Sequence, residues 1–191
     1  MTPLVFLDYF FTFGGAQRST ATLLNRLHDL GREDCLFVAP SPPAPAFRAF
    51  LRAELACLFL ERRPELEHSG TRPLAFAGTL SGVVRRFDRL VRSRSLERAV
   101  LVTSSPKGLL TLAIYRLLFR QSALIAYYCR GEGKAGQFGR LGRFLTRRFV
   151  SRVLCVSAET ARNMTDWGVQ PDRVRVVYTS IDASPLLEQG I

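Results

Sequence analysis

Histidine is nearly missing from this sequence: His28 and His68 are the two that occur, and they stand far apart. That scarcity argues against a zinc site built by the protein and against a serine, histidine and aspartate constellation. Cysteine is sparse as well. Cys35, Cys57, Cys129 and Cys155 are widely separated and form no C-x-x-C pair, so they read as buried reduced thiols rather than a disulfide framework. No run of 18 apolar residues exists. The richest stretch, Ala99 to Phe119, is broken by Thr103, Ser104, Ser105, Pro106, Lys107 and Arg116, so nothing in it spans a bilayer. The apolar segment Leu4 to Phe13 has no basic flank and carries Asp8, which points to a buried strand rather than a signal peptide. The G-x-G-x-x-G fingerprint, the ribose-binding acid that follows it and the Lys-Ser/Thr ending of a phosphate loop are all missing. A dinucleotide-binding enzyme is disfavoured on that ground. No pair of carboxylates shares an element, no repeat is present, and nothing calls for a metal or organic cofactor.

What the chain does have is arginine. The net charge is +11, and 25 of the 27 basic residues are arginine, Lys107 and Lys134 being the exceptions. Between Arg85 and Arg152 there are 16 Lys/Arg against 3 Asp/Glu, while the rest of the chain is close to neutral. A basic excess confined to one third of the chain favours an anionic partner: a membrane surface, a nucleic acid or a phosphorylated substrate.

Apolar runs alternate with helical periodicity along the whole length. Strands are expected at Pro3–Phe10, Cys35–Ala39, Ala99–Thr103, Ala123–Cys129, Arg152–Val156 and Val174–Tyr178. Between them fall a helix from Ala16, with Leu23, Leu24, Leu27 and Leu30 on one face and Gly31 as its stop, and helices at Lys107–Phe119, Gly139–Phe149 and Ala158–Trp167. Phe47–Leu60 and Leu74–Val91 also read as amphipathic helices, with room for a short strand in the Glu61–Pro73 connection. This order implies an α/β fold with a doubly wound, mostly parallel Rossmann-like sheet. Ligands bind such sheets at the carboxyl ends of the strands, so the loops to inspect are Phe11–Gly15, Thr103–Lys107, Arg130–Gly136, Ser157 and Thr179–Asp182.

Several residues in those loops can carry binding chemistry. Gly14 and Gly15 let backbone approach a ligand, and the helix start at Gln17 and Arg18 favours an anion, although a structural turn looks the same. Ser104 and Lys107 follow one strand. Ser157 heads a helix, where it either caps the first turn or touches substrate. Arg130 and Glu132 lie in a glycine-flanked loop, where a guanidinium can clamp a phosphate or a solvated pair can simply face water. On Gly139–Phe149, Arg140, Arg143 and Arg147 share a face, with Leu141, Phe144, Leu145 and Phe149 mostly on another and Phe144 nearest the boundary. That pattern suits docking on an anionic membrane or packing on the sheet. No base-reading or stacking motif supports a nucleic-acid partner.

Two segments, Gly14-Gly15-Ala16-Gln17-Arg18 leading to Leu30-Gly31, and Val153 to Asp182, together resemble the N-terminal domain of family 4 glycosyltransferases of the GT-B fold. Ser104-Ser105-Pro106-Lys107 fits the family's loop after its fourth strand. The resemblance implies an acceptor-side domain over residues 1–182, with 183–191 beginning a linker to a donor-binding domain outside this sequence. It implies retaining transfer of a sugar from a nucleotide-sugar donor to a glycan or lipid-linked acceptor at the cytoplasmic membrane face, as in polysaccharide biosynthesis. It places Arg130 where many members carry a histidine near the transferred sugar, and Thr179-Ser180 where they carry Asn-Gly. The domain alone is expected to be inactive. A split or non-catalytic module docking on a membrane or partner chain is the alternative.

Overall fold

The computed structural model describes residues 2–9, 14–40, 42, 45–60, 73–119, 122, 124–130 and 139–178. Seven strands form one sheet: β1 (Leu4–Leu7), β2 (Cys35–Ala39), β3 (Ala56–Phe59), β4 (Val100–Thr103), β5 (Leu124–Cys129), β6 (Arg152–Cys155) and β7 (Val174–Val176). Their spatial order is β3-β2-β1-β4-β5-β6-β7, and every pairing is parallel. Among the described residues six α-helices connect them: α1 (Gly15–Asp29), α2 (Pro45–Phe50), α3 (Pro73–Ser93), α4 (Pro106–Phe119), α5 (Gly139–Phe149) and α6 (Ala158–Asp166).

Alternation along the strands explains why helices cover both faces. Val5 and Leu7 enter one core cluster, with Leu80 and Phe87 of α3, Leu112 and Tyr115 of α4, and Leu145 of α5. Phe6 points the other way, toward Leu24 of α1 and Phe37 and Phe47. A strand apolar on both faces is what a parallel sheet buried on both sides requires. Helix α4 lies between α3 and α5 and is buried around much of its circumference, which matches its weakly amphipathic sequence.

One segment departs from the expected pattern. Phe47–Leu60 is not a single helix: α2 ends at Phe50, and Ala56–Phe59 forms strand β3 beside β2. A four-residue apolar run satisfies the open edge of β2, a long-range demand that local periodicity does not register. The strand considered for Glu61–Pro73 lies almost wholly outside the described residues.

The sheet order also locates the crevice. The chain winds outward from β1 through β2 to β3, then returns to place β4 on β1's other side. This reversal between β1 and β4 is the topological switch point, where the loops at the carboxyl ends diverge and leave an opening.

Candidate functional site

Asp8 follows the last residue of β1 and is completely buried. A carboxylate in that position needs donors, and the β4–α4 turn supplies four. The backbone N–H groups of Ser104 and Ser105 donate to Asp8 at 3.1 and 2.9 Å, and the hydroxyls of Thr103 and Ser104 donate at 3.1 and 2.6 Å. Burial pushes the Asp8 carboxyl above its ordinary value, against the pull of the Ser104 hydroxyl, the Arg130 charge, the Ser105 side chain and the Ser104 N–H.

Arg130, the first residue after β5, reaches into the same place. Its Nη1 donates to Thr20 Oγ1 of α1 at 2.7 Å and its Nη2 to Ser104 Oγ, which in turn donates to Asp8. The guanidinium also stands over the Tyr128 ring, 5.6 Å from its centroid. The Tyr128 and Ser19 hydroxyls lie 3.2 Å apart. Burial lowers the Arg130 pKa and the Asp8 charge raises it, the first being the larger. The guanidinium remains a cation with donors and no acceptor. Four elements, β1, α1, the β4–α4 turn and the end of β5, thus fix one positive group at the switch point.

Gly108 makes that convergence possible. A Cβ there would lie 2.0 Å from Thr103 Oγ1, 2.8 Å from the Leu7 carbonyl oxygen and 2.9 Å from Ser105 Oγ. Any larger residue would push the start of α4 off the strand ends.

The other expected site residues divide between this network and local roles. Ser104 belongs to the network. Gly14 caps α1 in an extended conformation, and the Gln17 side chain turns back to accept its N–H at 3.0 Å. Gly15 faces open space, with nothing within 4 Å of a notional Cβ, and Arg18 is exposed. Lys107 is half-buried in the first turn of α4, where its carbonyl accepts the Thr111 hydroxyl at 2.9 Å. Ser157 accepts the Thr160 N–H at 3.1 Å, the capping bond. It follows β6, next to the β5 end that carries Arg130. Glu132 lies outside the described residues. Asp8, Thr20 and Tyr128 were not singled out from sequence; a lone carboxylate in an aromatic strand run is the signal that could have found Asp8, since a buried charge must be partnered.

The α5 face differs from its expected pattern. Gly142, Leu145, Thr146 and Phe149 are buried, whereas Leu141 (52% exposed) and Phe144 (58%) share the solvent side with Arg140, Arg143 and Arg147. The four apolar residues therefore divide: Leu145 and Phe149 are buried together with Gly142 and Thr146, whereas Leu141 and Phe144 lie on the arginine side. No described helix is long and apolar enough to cross a membrane. Among the described residues, no group of three His, Cys, Asp or Glu side chains is placed to hold a metal ion.

The all-parallel sheet and its switch point are those of a GT-B Rossmann-like domain, the class that includes sugar-nucleotide transferases. The Glycosyltransferase Family 4 profile matches residues 13–184, and the chain belongs to that family. Anabaena HepE, solved with UDP and glucose, is similar over 99% of this chain and 50% of its own, with a TM-score of 0.68 and 18% identity. The lipopolysaccharide outer core galactosyltransferase WaaB matches over 93% of this chain and 46% of its own, with a TM-score of 0.67 and 11% identity. A UDP-N-acetylglucosamine 2-epimerase from Rickettsia bellii matches over 94% and 45%, with a TM-score of 0.62 and 8% identity. The chain spans about half the length of these proteins. No curated protein matches it by sequence.

Proposed function

We propose that this chain is the acceptor-side half of a retaining glycosyltransferase, contributing the wall against which a glycan or lipid-linked acceptor is held while a sugar leaves its nucleotide. The observation that carries this reading is the Arg130 guanidinium, fixed at the switch point by Ser104 and Thr20 and backed by buried Asp8. A permanently protonated arginine moves no proton, so Arg130 acts electrostatically, facing the negative charge that grows on the leaving diphosphate. Gly14 and Gly15 border the same crevice and leave room for a phosphate or sugar to approach backbone. The nucleotide itself is held chiefly by a second domain, in keeping with a chain that spans half of its relatives. The 191 residues alone therefore release no nucleoside diphosphate from UDP-glucose or other sugar nucleotides, with or without acceptor, in a coupled assay. Turnover by this chain would overturn the proposal.

A second reading has its own support: a module that docks on an anionic membrane surface or a partner chain, at the inner face of the cytoplasmic membrane. The exposed Phe144 and Leu141 among the arginines of α5 favour it, because burial on the sheet does not account for them. The two readings are compatible, since a lipid-linked acceptor is presented at a membrane.

A further inference from the structure

We propose that the groove between α5 and the turn leading into β7 seats the phosphate of an anionic lipid headgroup, with Phe144 and Leu141 entering the adjoining acyl boundary. This rests on the docking reading of α5 and is independent of the transferase reading. The groove has a volume of about 610 Å³ and is lined by Arg140, Arg143, Arg147, Arg148 and Arg173, together with Phe144, Gly168 and Gln170. Among the described residues, no carboxylate lines it.

The arginines are held there by the fold. Arg173 donates to the carbonyls of Arg147 and Thr146 at 3.1 and 3.4 Å, across the end of α5. The Arg143 guanidinium stands 5.6 Å from the centroid of the Trp167 ring. Gly168, in the left-handed region at φ +83°, admits Arg147, whose Nε would lie 3.4 Å from a Cβ at that position. Among the described residues, none of the five forms an ion pair. Like charges crowded into one groove repel, and an anion from outside relieves that repulsion.

Arginine alone would serve any polyanion. What selects a lipid is the stripe Leu141, Phe144 and Arg148, spaced three and four residues apart on α5, which sets two exposed apolar side chains beside the guanidinium groups. Free phosphate or a nucleic-acid backbone gives Leu141 nothing to bury against. Position agrees as well. The Gly168–Arg173 wall lies at the amino ends of the strands, away from the crevice, so a headgroup there leaves the crevice open.

The test is co-sedimentation of the 191-residue chain with phosphatidylcholine vesicles, with and without phosphatidylglycerol. Three variants are compared: Arg147→Glu/Arg148→Glu in the groove, Phe144→Ser, and Arg85→Glu/Arg89→Glu on the exposed face of α3 as a control of equal charge change. Circular dichroism checks that each is folded. Phosphatidylglycerol-dependent binding should fall by about tenfold or more in the groove pair and severalfold in Phe144→Ser, and far less in the α3 pair. Equal losses from the two charge pairs would mean diffuse attraction and would overturn the groove while leaving membrane docking intact. Binding that ignores Phe144→Ser but is displaced by inorganic phosphate or an oligonucleotide at matched ionic strength would overturn the lipid assignment. No binding to anionic vesicles would overturn the groove and the docking reading together.

Discussion

Arg130 and the α5 arginines are the same side chain in contrasting surroundings. Arg130 is half-buried and braced by Thr20 and Ser104, with a buried carboxylate behind it. Arg140, Arg143, Arg147, Arg148 and Arg173 line an open groove that no carboxylate among the described residues enters. The first arrangement is a closed circuit whose members depend on one another, so its geometry is fixed before any ligand arrives. The second is an incomplete circuit that an external anion would close. A fixed cation suits a reacting centre, where orientation decides the rate, whereas an open cluster suits a surface that must accept headgroups in many poses.

The contrast predicts where stability resides. Asp8→Ala leaves four donors without their acceptor and removes the carboxylate behind Arg130, and should lower unfolding free energy by about 3–5 kcal/mol. Arg148→Ala, on the groove side, should change it by no more than about 0.5 kcal/mol. Urea midpoints measure both, and equal effects would mean that the two regions do not differ in stability. Each region also has its glycine. Gly108→Ala forces a methyl group against Thr103 and the Leu7 carbonyl, at a cost of about 1–3 kcal/mol. Gly168→Ala meets only the left-handed conformation and the movable end of Arg147, costing about 1 kcal/mol.

The smallest effect is in pH dependence. Burial holds the folded Asp8 above its ordinary value of 3.8, so the folded state binds that proton more tightly than the unfolded chain. The associated stability is complete below pH 3.8 and is lost as pH rises through the raised folded value. The stability difference between wild type and Asp8→Asn should therefore shrink as pH climbs through that window. The difference between wild type and Arg148→Ala should stay flat, because that substitution leaves the Asp8 carboxyl and its donors untouched. A flat profile for Asp8→Asn would show that its donors cancel the effect of burial.

Much of the fold was legible because strand and helix periods alternate so regularly from Leu4 to Val176. β3 was not, since Ala56–Phe59 follows a helical stretch without a glycine or proline to mark the change, and its identity depends on the edge of β2. At the site, Arg130 and Ser104 could be picked out as polar residues after apolar strands. Their connection through Asp8 could not, because 96 residues of sequence separate Ser104 from Asp8 and only the sheet order brings them together. On α5, helical spacing identified the arginine face but grouped Leu141 and Phe144 with Leu145 and Phe149. Which residues of a helix are buried is set by its tilt against its neighbours, and here Gly142 and Thr146 fall on the buried side.

The central place of β1 also has a consequence in time. It is the first strand in the sequence, yet Leu4 pairs with both Cys35 and Val100. At a synthesis rate of about 5–20 residues per second, the second partner follows the first strand by roughly 5–20 seconds. Throughout that interval one edge of β1 stays open, and the Asp8 carboxylate lacks the turn that supplies its donors. The growing chain therefore carries an unfinished sheet edge with a carboxylate beside it, a charge that discourages pairing with a stranger until the proper neighbour has been made.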